Sequence, residues 1–257
     1  MTESGEAARP NTLERLDVAI ATRLAARSAN LDLPGALEQG ADLLGLPQGN
    51  DAEWIRGVLG LRGLKLDTRD ILDVLSARPS RHLPDHQEHN LITGAKGVLG
   101  LIRERGLRGV QPDGWCLADL FRVLVRDIPR FRNNDVRRDV PWDAILYVQY
   151  PAPDEVRSLL DTFHPDHRFR DLPALFDRLH PVRKAFRILW RFARIAPFPD
   201  FNLVMAFVAM NASLLASGYP LVFPEPQDRE LLTHLVSGPV PNRITQLEGR
   251  LLARVQL

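Results

Sequence analysis

The sequence predicts an all-α fold with one small β-hairpin, and three observations favour it. Apolar residues recur every three or four positions along most of the chain, as they do on the buried face of an amphipathic helix. Only one run, AILYVQY at 144–150, has the β-branched and aromatic composition of a strand. Glycines and prolines divide the remaining chain into stretches of ordinary helix length.

Helical spacing predicts most of the elements. The first helix has an apolar face formed by Leu13, Leu16, Ile20 and Leu24. Asp67 or Thr68 is expected to cap the helix that carries Ile71, because short polar side chains accept hydrogen bonds from the free N–H groups at a helix start. Besides the helix that carries Ile71, the predicted helical ranges are 12–28, 35–45, 51–63, 91–104, 115–127, 153–163, 172–179, 181–195, 202–217, 227–236 and 243–255.

The strand prediction requires a partner, because a lone strand cannot satisfy its own backbone N–H and C=O groups. Residues 144–150 are therefore expected to pair with 131–140 as a hairpin. No Pro/Ser/Gly-rich linker divides the chain, so we expect one body. Within it we expect an N-terminal helical layer at 1–65, a helical core domain at 66–238 and a C-terminal helix at 239–257.

Composition excludes several classes of protein. The 257 residues are 45% hydrophobic and 25% charged, values typical of a globular chain. The 33 basic and 32 acidic residues almost balance, so no electrostatic argument favours a nucleic-acid partner. A single cysteine excludes an internal disulfide and a multi-cysteine zinc site. We find no secretory signal and no sufficiently apolar span, so we expect a cytoplasmic protein without a membrane partner.

Two local patterns could carry chemistry but favour structural interpretations. His82, His86 and His89 lie close together, but Pro84 interrupts any helix that would bring them to one face. A solvated loop is the better interpretation, and no metal site is predicted. Cys116 begins an apolar helix, so a buried, inert thiol is expected. The sequence also contains no Gly-rich phosphate loop and no Gly-x-Ser-x-Gly motif.

The helix at 181–195 is more informative because a row of arginines lies opposite its apolar face. Their spacings are four, four and three residues, and they are Arg183, Arg187, Arg191 and Arg194. One interpretation is the solvated face of a core helix. The other is an anion-facing helix, since several guanidinium groups on one face can hold a phosphate or a carboxylate. The spacing leaves both open.

This helix and the loop after it carry a family resemblance. His180-Pro181 opens the helix, and sixteen residues after His180 the chain reads Ala-Pro-Phe-Pro-Asp-Phe-Asn-Leu-Val from Ala196 to Val204. Flanking segments at 129–136, 149–163 and 210–238 follow in matching order. Together they resemble the Fic (Fic/Doc, Fido) family over about residues 66–238. The resemblance implies a Fic-like helical core with a hairpin flap that aligns a target chain, here near Tyr147.

The loop departs from the family's pattern, His-x-Phe-x-(Asp/Glu)-Gly-Asn-Gly-Arg-x-x-Arg. The family's histidine takes a proton from a target hydroxyl, and Ala196 stands in its place. Phe201 and Leu203 replace the two glycines, so we expect them to block the phosphates and to disfavour left-handed backbone angles. Val204 and Phe207 replace the two arginines. The resemblance therefore implies a degenerate motif.

Part of the motif remains. Asp200 stands at the position of the family's metal-binding acid, although an Asp or Asn helix cap explains Asp200 and Asn202 equally well. The family's inhibitory glutamate has no clear counterpart, because the nearest candidate, Glu38, lacks the preceding hydroxyl residue. No cofactor and no magnesium-bound nucleotide is expected. The candidates for a ligand cleft are Pro197, Phe198, Asp200, Phe201, Asn202, Arg191 and Arg194.

Three functions follow from these residues. The first is a pseudoenzyme that binds a protein segment or a ligand without transferring AMP. The second is a diverged enzyme that acts on a small molecule or transfers another group, for which the apolar replacements would suit a less charged ligand. The third is a residual AMP transferase with a base from elsewhere, such as His180 or His164. The sequence leaves the partner, the substrate and the oligomeric state open.

Overall fold

The computed structural model describes residues 11–30, 50–132, 135–163, 179–240 and 244–256. Within these ranges the chain forms ten α-helices, a 3₁₀ turn at Pro129–Phe131 and no β-strand. The helices are α1 Thr12–Asn30, α2 Asp51–Gly60, α3 Thr68–Leu75, α4 Gln87–Leu107, α5 Gly114–Leu124, α6 Pro153–Asp161, α7 Pro181–Ile195, α8 Asn202–Ala216, α9 Asp228–Ser237 and α10 Thr245–Gln256. The all-α prediction is confirmed. The helix predicted at 35–45 and nearly all of the one at 172–179 lie outside the described residues.

Helix α8 is the centre of the fold. Every residue from Asn202 to Leu214 is buried, which is typical of a helix surrounded by other elements. Its most extensive neighbour is α7, followed by α4, and α5 packs against α4 from the other side. The loop joining α7 to α8 therefore lies inside the molecule, between its two most tightly packed helices.

The N-terminal helices belong to the same hydrophobic core. Helix α1 packs along α10, and α2 packs against α3, α4 and α8. The described buried apolar side chains form one continuous cluster from Leu13 to Val255. The boundaries of the layers at 1–65, 66–238 and 239–257 remain a prediction. No helix in the described ranges is both long enough and apolar enough to cross a membrane.

The predicted hairpin strand at 144–150 is wrong. These residues form a turn, in which the Val148 N–H donates to the Ile145 carbonyl over 3.3 Å. Tyr147 has a φ of +65°, which no strand residue adopts, and 96% of its surface is exposed. In the expected partner segment, 131–140, the Arg137 N–H donates instead to the Pro197 carbonyl, and just after that segment the Trp142 N–H donates to the Pro199 carbonyl. The segment thus borders the loop without forming a sheet.

Gly94 allows α4 and α5 to approach closely. A Cβ atom at this position would lie 2.1 Å from the Leu124 carbonyl oxygen, whereas one at Gly100 of the same helix would meet no atom within 4 Å. We expect Gly94→Ala to lower the free energy of unfolding by about 1–3 kcal/mol through overpacking. The control Gly100→Ala should raise it by about 0.5–1 kcal/mol, since alanine favours the helix. Urea denaturation measures both, and equal effects would contradict this account of the contact.

Candidate functional site

The loop at 196–201, which joins α7 to α8, is buried along its whole length. It begins and ends with residues in the left-handed region: Ala196 at φ +43° and Phe201 at φ +62°. A residue with a side chain pays about 1–2 kcal/mol for this conformation. The expectation that Phe201 would avoid it is wrong. The Phe201 ring is buried, with its centre 6.0 Å from that of the Phe131 ring, and the Phe201 N–H donates to Asp200 Oδ1 over 2.7 Å. These contacts hold the backbone in the left-handed conformation.

Arg137 fixes the loop from the neighbouring segment. Its side chain is 4% exposed and donates to the carbonyls of Ala196 at 2.7 Å, Pro151 at 2.6 Å and Asp139 at 3.0 Å. It also approaches the Ile195 carbonyl at 3.5 Å. Burial lowers the pKa of this guanidinium. A cation beside the last carbonyls of α7 compensates the negative end of the helix dipole, so Arg137 closes the end of α7.

Asp200 lies inside the loop, 1% exposed, and two arginines neutralise it. Arg62 forms a two-nitrogen contact, with Nε on Oδ1 and Nη2 on Oδ2 at 3.3 Å. Arg130 reaches Oδ2 with Nη2 at 3.4 Å. The hydrogen bond to Asp200 raises the pKa of Arg62. Both carboxylate oxygens are thus engaged by guanidinium groups of the chain itself.

A second carboxylate closes the N-terminus of α8. Asp143 accepts the backbone N–H of Asn202 on Oδ2 at 2.6 Å and its side-chain amide on Oδ1 at 2.8 Å. The Asn202 side chain accepts the Phe198 N–H on Oδ1 and donates its amide N–H to the Phe198 carbonyl, each over 2.9 Å. Burial raises the pKa of Asp143, and the negative charge of Asp200 adds to this effect. The helix N-terminus, which favours an anion, therefore holds one from within the chain.

Aromatic packing fills the remaining space around the loop. The ring of Phe198 stacks on Phe121 with centroids 4.1 Å apart and lies 5.8 Å from Phe192. Val204 and Phe207 are both fully buried. Of the cleft candidates, Pro197, Phe198, Asp200, Phe201 and Asn202 come together in this network and are all buried.

The arginine row of α7 divides between different contacts. Arg183 approaches the buried Glu248 of α10 at 4.0 Å. Arg194 donates to the Val236 carbonyl at 3.0 Å and lies over the Trp190 ring. Arg191 lies 5.3 Å from the centre of the Phe163 ring, and burial lowers its pKa. Two of the four thus make contacts between helices, so the row is not a simple solvated face.

The other two cleft candidates, Arg191 and Arg194, line an open groove of about 870 Å³. Tyr150, Pro151, Ser158 and Trp190 contribute to the same walls. The groove extends along α7 as far as Ile195, and no residue of the loop at 196–201 lines it. The structure thus separates the seven candidates into a buried loop network and an open groove.

The remaining sequence candidates lie elsewhere. His180 caps the start of α7, where its Nδ1 accepts the Val182 N–H at 3.2 Å and its Nε2 lies 3.1 Å from Asp17. His89 Nδ1 lies 3.1 Å from the His82 carbonyl. Within the described ranges, no three His, Cys, Asp or Glu side chains are grouped closely enough to hold a metal. His164 lies outside the described residues.

Cys116, predicted to be buried, is half-buried. Burial raises the pKa of its thiol, so the unreactive form is favoured, and an Arg105 nitrogen contacts its sulfur. Sequence reasoning missed four members of the loop network: Arg62, Arg130, Arg137 and Asp143. They are distant from the loop in the chain, and although Arg130 lies in the flanking segment at 129–136, no local pattern identifies any of the four as a partner of the loop.

Comparison with known proteins matches this architecture. Residues 117–214 match the model of the Fic/DOC family. A Fic domain-containing signaling protein from Bacteroides thetaiotaomicron superposes with a TM-score of 0.69 at 16% identity, covering 96% of this chain and 95% of that one. Residues 134–508 of Fic-1 from C. elegans give 0.63 at 15% identity, covering 95% and 71%. A Fic family protein from Desulfovibrio desulfuricans gives 0.56 at 15%, covering 94% and 73%.

No curated protein sequence matches the chain. The all-helical core and its buried loop define the Fic fold. The matched segment, residues 117–214, contains this loop and most of the two helices that it joins, so the chain has the Fic fold and resembles the Fic/DOC family in this segment.

Removing the Arg137 guanidinium should destabilise the protein strongly. In Arg137→Met the buried carbonyl of Ala196 and the partly buried carbonyl of Pro151 both lose their donor, and an unsatisfied buried group costs about 1–3 kcal/mol. We expect the free energy of unfolding to fall by about 3 kcal/mol or more. The neighbouring Arg138 is exposed, so Arg138→Met should change it by about 0.5 kcal/mol or less. Similar losses in both variants, measured by urea denaturation, would contradict this role.

Proposed function

We propose that this Fic-domain protein is a pseudoenzyme that binds a protein segment and transfers no AMP. The observation that carries the proposal is the position of Asp143, whose carboxylate occupies the N-terminus of α8. In the family this is where backbone N–H groups meet the nucleotide phosphates. A negative charge already held there repels a second anion and removes its hydrogen-bond donor.

The position of the general base also supports the absence of transfer. Ala196 stands there, fully buried and without a titratable group. His180 lies at the opposite end of the 15-residue helix α7, about 22 Å along its axis at 1.5 Å per residue. Removal of a general base alone costs on the order of 10²–10⁴ in rate. Loss of the donors that stabilise the developing charge costs on the order of 10²–10³ more.

The position of the metal-binding acid does not fit a magnesium ion. Asp200 is 1% exposed, and both of its oxygens contact arginine side chains, from Arg62 and Arg130. Magnesium needs near-octahedral oxygen ligands and retains several waters. A buried carboxylate surrounded by two guanidinium groups offers neither. No step of a reaction is therefore assigned to a metal here.

The segment beside the loop supports a protein partner. Four apolar side chains between 140 and 147 are largely exposed: Val140 at 68%, Trp142 at 53%, Leu146 at 77% and Tyr147 at 96%. Exposed apolar groups that follow one another in a single segment are typical of interaction sites, and Trp and Tyr are enriched in interface centres. Arg137 and the backbone bond of Trp142 anchor this segment, so the patch is presented in a defined position.

A second candidate function is an enzyme acting on a small molecule. The groove of about 870 Å³ beside Arg191 and Arg194 favours it, because its volume lies in the range of ligand sites. Tyr150 and Ser158 would supply polar groups there. A small-molecule ligand that binds this groove and is chemically altered on incubation would establish this function over the first.

Nucleotide binding tests the proposal directly. By calorimetry we expect no magnesium–ATP binding tighter than about 1 mM. The triple variant Asp143→Ala, Phe201→Gly, Leu203→Gly should gain measurable affinity, because it frees the α8 N–H groups and removes both side chains. The control keeps the two glycine changes and replaces the exposed Asp139 by alanine, and it should not gain affinity. Wild-type binding in the low micromolar range, or transfer of labelled AMP to a protein, would contradict the proposal.

Site-specific crosslinking tests the partner surface. A photoreactive residue at Tyr147 should give one discrete protein adduct in extracts of the native cell, and the same residue at exposed Leu107 of α4 should not. The adduct should disappear when Val140 and Leu146 are both replaced by serine, since these side chains are exposed and their loss spares the core. Identical adduct patterns from the two positions would show that the patch has no specific partner.

A further inference from the structure

A second cavity lies away from the α7–α8 loop, where α2, α10 and the segment at 221–225 meet. Its volume is about 350 Å³, which lies within the range of small-molecule sites. Leu221, Phe223 and Pro224 give it apolar walls, and Arg56 and Arg254 add positive charge. Nothing in the Fic motif accounts for this combination.

Arg254 is the unusual group in this cavity. Its guanidinium carbon lies over the Phe223 ring, 3.7 Å from the ring centre, and its Nε atom is buried without a hydrogen-bond partner. Within the described parts of the chain, no carboxylate or carbonyl accepts a hydrogen bond from this side chain. Stacking on an aromatic face leaves the edge of the guanidinium available, and that edge carries the paired donors that bind oxyanions.

The charges around Arg254 leave it uncompensated. Burial lowers its pKa to about 10, and the nearby positive charges of Arg103 and Arg23 contribute to the shift. The only acid that opposes this shift is Glu53, which is exposed and forms no ion pair with Arg254. A partly buried cation beside other cations costs free energy that a bound anion would recover.

The other acidic groups near the cavity are already engaged. Asp51 pairs with Arg103 at 2.7 Å. The fully buried Asp228 holds Arg250 through two bonds of 2.6 and 2.8 Å, and Glu225 adds a third contact at 3.0 Å. Asp51 and Asp228 therefore each compensate another arginine, and Glu225 contacts Arg250 and not Arg254. Among the described residues, no carboxylate forms an ion pair with Arg254, and Glu53, which lines the same cavity, acts on it only through its nearby charge.

We propose that this cavity binds a small organic oxyanion, a carboxylate or a phosphate ester, on the guanidinium edge of Arg254. Arg56 adds positive charge at the exposed edge of the cavity, and the apolar body of the ligand lies against Leu221 and Pro224. The site is independent of the α7–α8 loop, so it stands whether or not the protein transfers AMP.

Calorimetry with two probes tests the site. Benzoate represents a carboxylate and phenyl phosphate a phosphate ester, each with a small apolar body. At least one probe should bind the wild-type protein with one-to-one stoichiometry, and whichever binds identifies the anion class. Inorganic phosphate should bind at least tenfold more weakly than the better probe, because it lacks the apolar body.

The variants assign the binding to Arg254. Arg254→Met keeps the apolar stem and should weaken binding of the better probe at least tenfold. Arg108→Met removes an exposed arginine of the α4 end and should leave binding unchanged. Arg254→Lys keeps the positive charge but lacks the paired donors, so it should bind the better probe with intermediate affinity. If the methionine variant does not fold, the lysine variant provides the test. If neither probe saturates, or if both Arg254 variants bind as tightly as the wild-type protein, the proposal is overturned.

Discussion

The buried guanidinium of Arg137 is the constraint on which the rest of the site depends. It joins the last carbonyls of α7 to the segment that runs from Asp139 to Pro151. Because these acceptors lie at a helix end and in a loop, no regular secondary structure could satisfy them. One side chain thus sets both where α7 stops and where the exposed apolar segment lies. The loop at 196–201 takes its left-handed turns within that frame.

Both carboxylates of the loop network are compensated from within the chain. Asp200 and Asp143 carry two negative charges, which Arg62, Arg130 and the α8 N-terminus compensate. Arg62 interacts favourably with both carboxylates, and burial, with a smaller contribution from the charge of Asp200, raises the pKa of Asp143. In a site that binds a metal ion and a polyphosphate, such charges stay uncompensated until the ligand binds. Here groups of the chain itself compensate both carboxylates. This difference supports the proposed binding role over a catalytic one.

The fold was largely predictable from the sequence, because helix periodicity is local. The ranges of α7 and α8 follow from apolar spacing, from His180-Pro181 and from the prolines of the loop. The predicted cap Asp67 accepts the Arg69 N–H at 2.8 Å. The prediction of a strand at 144–150 was wrong because a strand-like composition forms a strand only where a partner edge exists. Here backbone N–H groups of the preceding segment donate to the α7–α8 loop instead. The site's cations and Asp143 were not predictable, since long-range pairing leaves no periodic trace.

Arg62 lies outside the segment that matches the Fic/DOC family, shortly after α2, yet it supplies the two-nitrogen contact to Asp200. A fragment reduced to residues 117–214 would keep the carboxylate buried in its loop and lose this partner. Burying a charge after removing its counter-ion costs about 3–5 kcal/mol, a large share of the stability of an ordinary domain. Of the two arginines that contact Asp200, the family segment contains only Arg130, so the charge balance of its loop depends on a residue outside it. The loop network therefore includes residues from outside that segment. Insertions or truncations before residue 66 that displace Arg62 act on the loop directly, as changes within the loop do.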